Sequence, residues 1–466
     1  MSILEKKYFL YKFSYFNKIS REIPEIFKIF YPLVLHRITY KSHSIIISYI
    51  ISITGLDNLY AYTYVNRINF YTINLVFSVI NSMTYFVSNR DKNNLKKNML
   101  DTYVLYYHFF LISLISSFLI VIFYVNIDFF FSESLNFRKV IKDYMKITSF
   151  GVLPHIIILY IQQVLILNKN FSLLIVLNLL WLSNTCLFSY FFILDKQSFI
   201  KLEVVGAAYA SSLANIITLI IFILWIIHKY RWIISNFFIK KNFSIIFPLF
   251  KNIFKVGLFF NLEYISNTLF GISVMYVLLQ FGEKNFLFQQ SIMQFFIFSF
   301  ILPASLSQSC FLIIKEKYKN NFDQIKFILY AAIFIYIFFS IFTCINCIEY
   351  IKITNVYSLI NFIDNGFLLM FIIFLFQIFD GLSTIIIGAL RGIKDIKFSV
   401  ITGIIIWLVG VSAGVIGFVM FETGYIFFNI NLAAAYVIYT VILLMHFKKS
   451  KKIDDENLPD RTFIEP

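Results

Sequence analysis

The stretch GFLLMFIIFLFQIFDGLSTIIIGAL, residues 366–390, holds one ionisable side chain, Asp380, among 25 residues. An uninterrupted apolar run of this length matches the roughly 20 residues that a helix needs to cross a hydrocarbon core of about 30 Å. Its apolar residues do not alternate with period two, so it reads as a helix rather than a strand. Inside lipid only helices and closed barrels satisfy their own backbone groups. The fold therefore follows from how many such runs the chain contains.

Working outward, comparable runs fall at 30–53, 59–88, 102–127, 147–167, 171–194 and 204–228, then at 254–281, 286–314, 327–348, 398–421 and 425–445. Hydrophobic residues make up 59% of the 466 and charged residues 14%, and mean hydropathy is +0.79. A soluble domain carries about 25% charged residues. The expected fold class is an all-α membrane protein of about twelve transmembrane helices. No compact apolar leader with a small-residue cleavage site is apparent near the start.

The formal net charge of +15 could point to nucleic acid, but its placement does not. Of the 40 Lys and Arg, 29 fall in one alternating set of connections and ends, and only 7 in the other. This is the positive-inside asymmetry of a multi-pass protein with both termini in the cytoplasm, expected in a bacterial inner membrane. Membrane lipid is the expected contact of these charges, and nucleic acid is not.

The long basic connection, 229–253, divides the spans six and six. Gly55 and Gly282 lie 227 residues apart, and Trp181 and Trp407 lie 226 apart, as two copies of one unit would place them. The expected organisation is a basic tail (1–29), an N-terminal lobe (30–228), the connection (229–253), a C-terminal lobe (254–445) and a C-terminal tail (446–466). Two six-helix lobes of this kind are related by pseudo-two-fold symmetry, with a binding site near the midplane.

A charged group at the centre of a span costs on the order of 2.5–3.5 kcal/mol, so each needs a reason. Glu263 and Asp380 each lie about ten residues, or about 15 Å, from the cytoplasmic end of their spans. Two carboxylates at one depth can serve as a site for a cation or a proton. Packing partners for each acid are the plainer alternative. Arg37 and Lys41 are four residues apart in the first span and share a helix face. They read either as cations lining a wet vestibule or paired with acids such as Asp380, or as an anion-binding or proton-relay face. Gln289 and Gln377 join them as substrate-contact or relay groups, with interhelical hydrogen bonding the commoner use. Cys344-x-x-Cys347 lacks the second pair or the histidines that a metal site requires. No Gly-Lys-Ser/Thr loop provides for ATP.

The run Phe376-Gln-Ile-Phe-Asp380-Gly-Leu-Ser-Thr-Ile-Ile-Ile-Gly-Ala-Leu-Arg391-Gly392-Ile-Lys394-Asp395 resembles the multidrug and toxic compound extrusion (MATE) family, in its NorM-like branch. Val256-Gly257-Leu258, Glu263, Leu302-Pro303, Asn178 and Gly206-Ala207-Ala208 agree with it. The resemblance implies two six-helix lobes and export of drug-like, cationic amphipathic compounds by antiport, with Na⁺ or H⁺ as coupling ion and no other cofactor. It places the coupling acids of the second lobe at Glu263 and Asp380; any Na⁺ would bind there. A monomer is the expected state. The chain departs from the family at three points: Ile47 stands where a first-span acid is usual, Phe376 stands where tyrosine is common, and Arg37 and Lys41 add positive charge to a lobe expected to receive cations. Two alternatives come from other classes: a flippase for a lipid-linked anionic saccharide, and a membrane protein that no longer transports.

Overall fold

The computed structural model describes residues 3–88, 110–125 apart from 112 and 116, 135–168, 170–194, 202–229, 299–317, 322–353, 366–393, 395–421 and 425–449, with isolated positions between 262 and 293. The described elements are helices: α1 Ile3–Thr54, α2 Leu56–Ser88, α3 Leu135–Leu167, α4 Phe171–Ser189, α5 Glu203–Lys229, α6 Ile301–Lys317, α7 Phe322–Ile353, α8 Gly366–Gly392, α9 Ile396–Phe421 and α10 Tyr425–Lys449. A further apolar helical segment covers Ser113–Val125.

Seven of the described helices are long and apolar enough to cross a membrane. Their outer surfaces confirm the solvent. On α7, Phe334, Phe338 and Phe342 lie four residues apart and are 57%, 67% and 63% exposed. The opposite side of that helix, Ile328, Ala331, Ala332 and Ile335, is buried. A ridge of exposed phenylalanines is costly in water but neutral against acyl chains, so this face meets lipid. The protein is a multi-pass, all-helical membrane protein.

Two helix starts differ from the sequence expectation. Residues 3–29, read as a tail, continue the first span into one 52-residue helix. The segment mixes lysines with aromatics, which lowers hydropathy without breaking a helix. Pro24 and Pro32 lie within α1, each removing one backbone hydrogen bond. Likewise α3 begins at Leu135, twelve residues before the apolar run at 147, because Arg138, Lys139 and Lys142 are good helix formers.

The chain divides into two compact units. One comprises Thr39–Tyr276 and holds α2 to α5. Here α3 meets α5 at Gly151, where a Cβ would lie 2.7 Å from Ser212. Ile158, Leu177, Trp181, Ala214 and Phe222 form its core. The last turn of α4 widens into a π-turn, Tyr190–Leu194.

The other unit comprises Met1–Ile38 with Val277–Pro466 and holds α6 to α10 with the first part of α1. Its core joins Ile26 and Phe30 of α1 to Cys310, Ile328, Ile386, Leu390 and Leu443. The Gly388-x-x-x-Gly392 pair faces α6: a Cβ on Gly388 would run into the Ser307 carbonyl, and one on Gly392 into Ile314. On α9, Gly410 and Gly414 lie against Ala435 and Phe428 of α10. Small residues at this spacing let helix backbones approach closely where no water drives them together.

Gly55 and Gly282, spaced as a duplicated unit would space them, share a conformation. Their φ angles are 138° and 98°, a region that side chains rarely adopt. Each carbonyl then accepts the amide four residues on, Leu59 and Phe286, at 3.1 Å. The pair therefore ends one helix and opens the next in both halves.

Gly388→Val should lower stability by about 3 kcal/mol, because the Ser307 backbone cannot swing aside. The lipid-facing Ile341→Val should change little. Thermal unfolding in detergent reads both, and an unshifted Gly388→Val would remove the close-approach account.

Candidate functional site

Asp380 sits near the centre of α8 and is half-buried. The helix around it is braced from two sides. Tyr336 of α7 donates its hydroxyl to the Gln377 carbonyl at 3.1 Å. Thr440 of α10 donates to the Phe379 carbonyl at 2.9 Å, sharing its proton with the Tyr436 carbonyl. Gly381 leaves room for Tyr336, whose hydroxyl a Cβ there would strike. The Phe376 ring meets Tyr436 edge to face, centroids 4.5 Å apart. These contacts fix the rotation of α8. The carboxylate itself accepts no hydrogen bond from any described side chain; only the Asp380 backbone carbonyl is engaged, by Ser383 Oγ at 2.8 Å.

An acid at this depth, on a helix that cannot turn it away, can take up a proton or a small cation. Glu263, its expected partner, lies outside the described residues. Gln377 is buried one turn before Asp380. Gln289 is fully buried and forms a reciprocal amide pair with Asn429 of α10, at 2.9 and 3.2 Å. That pair satisfies both side chains within the protein.

Arg37 and Lys41 lie one turn apart on α1, and the chain passes from one unit to the other between them. The boundary falls between Ile38 and Thr39. Arg37 donates from Nη2 to Gln308 Oε1 of α6 at 2.7 Å. Lys41 lies with Nζ 4.8 Å from the Phe70 ring centroid of α2 and 5.3 Å from that of Tyr40.

Beside Lys41 is a connected polar and aromatic group that residue spacing did not announce. Tyr40 stacks on Trp181, centroids 5.1 Å apart at 19°. Its hydroxyl bonds His155 Nε2 at 3.0 Å. His155 Nδ1 donates to Asn215 Oδ1 at 3.3 Å, which also accepts Trp181 Nε1–H at 2.6 Å. Asn215 in turn donates to the Gly151 carbonyl at 3.3 Å. These roles suit a neutral His155 carrying its proton on Nδ1. Three helices beyond α1 contribute, so the group is visible only once the chain is folded.

Comparison with known proteins agrees with this architecture. The MatE family model matches residues 32–191. The "Probable multidrug resistance protein NorM" of Bacillus licheniformis is 26% identical over 233 residues, 48% of this chain and 51% of that one. The Bacillus anthracis protein of the same name is 27% identical over 290 residues, 60% of this chain and 62% of its own. The matched stretch thus spans about half to three-fifths of these relatives. A crystal structure of MATE in complex with MaL6 superposes with a TM-score of 0.75 at 15% identity, covering 94% of this chain and 98% of that one. An outward-facing MATE family transporter of the MOP superfamily gives 0.74 at 15% identity, covering 94% and 97%. Over residues 32–191 the chain is similar to the MATE family. Its two-lobe fold is that of the MATE transporters.

Asn215→Leu should leave the Trp181 indole and His155 without their shared acceptor. Each buried group so stranded costs about 1–3 kcal/mol. Thermal unfolding should report a loss of at least about 2 kcal/mol, and an unchanged transition would show that the group is not a coupled network.

Proposed function

We propose that this chain is a secondary antiporter of the MATE kind that exports organic amphipathic compounds across the bacterial inner membrane in exchange for Na⁺ or H⁺. The observation that carries the reading is Asp380, a carboxyl group mid-way along a spanning helix, braced in place and accepting no hydrogen bond from a described side chain. The names of the NorM relatives support the export of drug-like compounds.

In this reading a cation or proton occupies Asp380, with Glu263 as the second acid. Occupancy favours one of the two openings and so drives the cycle. Gln377 and Gln289 line or frame the path. The basic connections keep both termini in the cytoplasm. In this reading the two lobes are residues 30–228 and 254–445.

The test is dye export from reconstituted vesicles under an imposed Na⁺ gradient and, separately, an imposed pH gradient. One of the two should drive export by the wild-type protein. Asp380→Asn and Glu263→Gln should each reduce it to the level of protein-free vesicles, with the protein still monodisperse. Undiminished export by Asp380→Asn would remove the coupling assignment, and no export under either gradient would remove the transport reading.

A further inference from the structure

We propose that the adjoining ends of α9 and α10, at Lys397 and at Lys448 and Lys449, form a binding site for an anionic phospholipid. The lysines hold its phosphate, and exposed aliphatic strips on the same two helices meet its acyl chains. The site is separate from the transport reading and stands whether or not that reading holds.

The two helix ends are clasped together. His446 Nε2 of α10 and Oδ2 of Asp395, just before α9, lie 2.6 Å apart. The His446 ring stacks on Phe398 of α9, centroids 3.5 Å apart at 9°. One turn further along, Tyr439 donates its hydroxyl to the Ser399 carbonyl at 2.9 Å. Gly403 and Gly410 let α9 lie close against Tyr439 and Ala435 of α10. Lys397 precedes Phe398, and Lys448 and Lys449 follow His446 within one turn, so the clasp carries lysines from two helices to one corner. All three are exposed. No described side chain pairs with Lys448 or Lys449. The carboxylate of this corner, Asp395, is engaged by His446. An anion arriving here meets ammonium groups.

The lysines also stand at the head of apolar strips. On α9, Ile401, Ile405 and Leu408 follow Lys397 at successive turns, and all are exposed. On α10, the exposed Ile438, Val441 and Met445 lead to Lys448 and Lys449. The two spans, Lys397–Gly417 and Ile426–Lys449, are thus bounded at this end by lysine. Exposed aliphatic side chains on spanning helices meet acyl chains, which puts the lysines at headgroup level. A phospholipid presents the same order, an anionic phosphate above two chains. The corner also selects among headgroups. Phosphatidylcholine carries its own cation, which the lysines repel, whereas phosphatidylglycerol carries none. Free phosphate would satisfy the lysines and leave both strips unused.

Native mass spectrometry of the full-length protein in detergent, titrated with dioleoylphosphatidylglycerol or dioleoylphosphatidylcholine, tests the site. The wild-type protein should bind the glycerol lipid at least about tenfold more tightly. Lys448→Gln and Lys449→Gln should each weaken that binding about fivefold, and the double variant about 25-fold. Arginine at both positions should keep it within about threefold. Lys28 is the control: it is exposed on α1 between Ile26 and Phe30, which pack in one core with Leu443 and Phe447 at the same end. Lys28→Gln should leave binding within about twofold, since its charge lies outside the clasp. Equal binding of the two lipids by the wild-type protein would overturn the proposal without any variant being needed. So would undiminished binding by the double variant, or an equal loss in Lys28→Gln, which would mean attraction to basic charge in general. Inorganic phosphate in excess should not displace the lipid; displacement would show that the strips contribute nothing and would overturn the assignment to a phospholipid.

Discussion

A polar group carried into the bilayer has no water to bond, and it must find its partner inside the protein or pull its helix out of place. Most of the described interior obeys this constraint. Serine and threonine hydroxyls bond back to carbonyls of their own helices, as Ser48, Thr148, Thr185 and Ser309 do. Amides bond across helices, as in Gln162 to Asn178 and Gln289 to Asn429. Trp181 and His155 of the Thr39–Tyr276 unit share the Asn215 side-chain oxygen. Asp380 is conspicuous because it departs from this pattern.

The same constraint explains how the helices meet. With lipid as apolar as leucine, association depends on close packing and on buried polar contacts. Gly388 and Gly392 bring α8 onto α6, while Tyr336 and Thr440 fix α8 from α7 and α10. Asp380 thus sits on a helix gripped by three others. A coupling acid needs that rigidity, since a helix free to rotate would hide the carboxylate from its ion rather than change the protein's state.

The spans at 171–194 and 366–390 were legible almost to the residue, because long apolar runs bounded by polar residues leave few alternatives. The two positive-φ glycines were legible as a pair, through their spacing. The early starts of α1 and α3 were not. Lysine-rich, aromatic segments lack the hydropathy of a span but have nothing that prevents a helix. At the candidate site, Asp380 stood out through its charge alone. Tyr336 and Thr440 did not, since one tyrosine among 30 and one threonine carry no mark of the distant carbonyl they bond. Nor could spacing show that Arg37 meets Gln308 while Lys41 meets Phe70 and Tyr40. Four residues on one helix predict a shared face, and only tertiary packing decides which neighbours each end of that face receives.

The central claim is that Asp380 faces water inside the protein and not lipid. Its most direct test is labelling of Asp380→Cys by a charged, membrane-impermeant methanethiosulfonate, in a background where Cys186, Cys310, Cys344 and Cys347 are replaced by serine or alanine. Phe338→Cys, on the lipid-facing ridge of α7, is the control. The account predicts that the cysteine at 380 is modified while the one at 338 is not. A cysteine at 380 as unreactive as the one at 338 would contradict it.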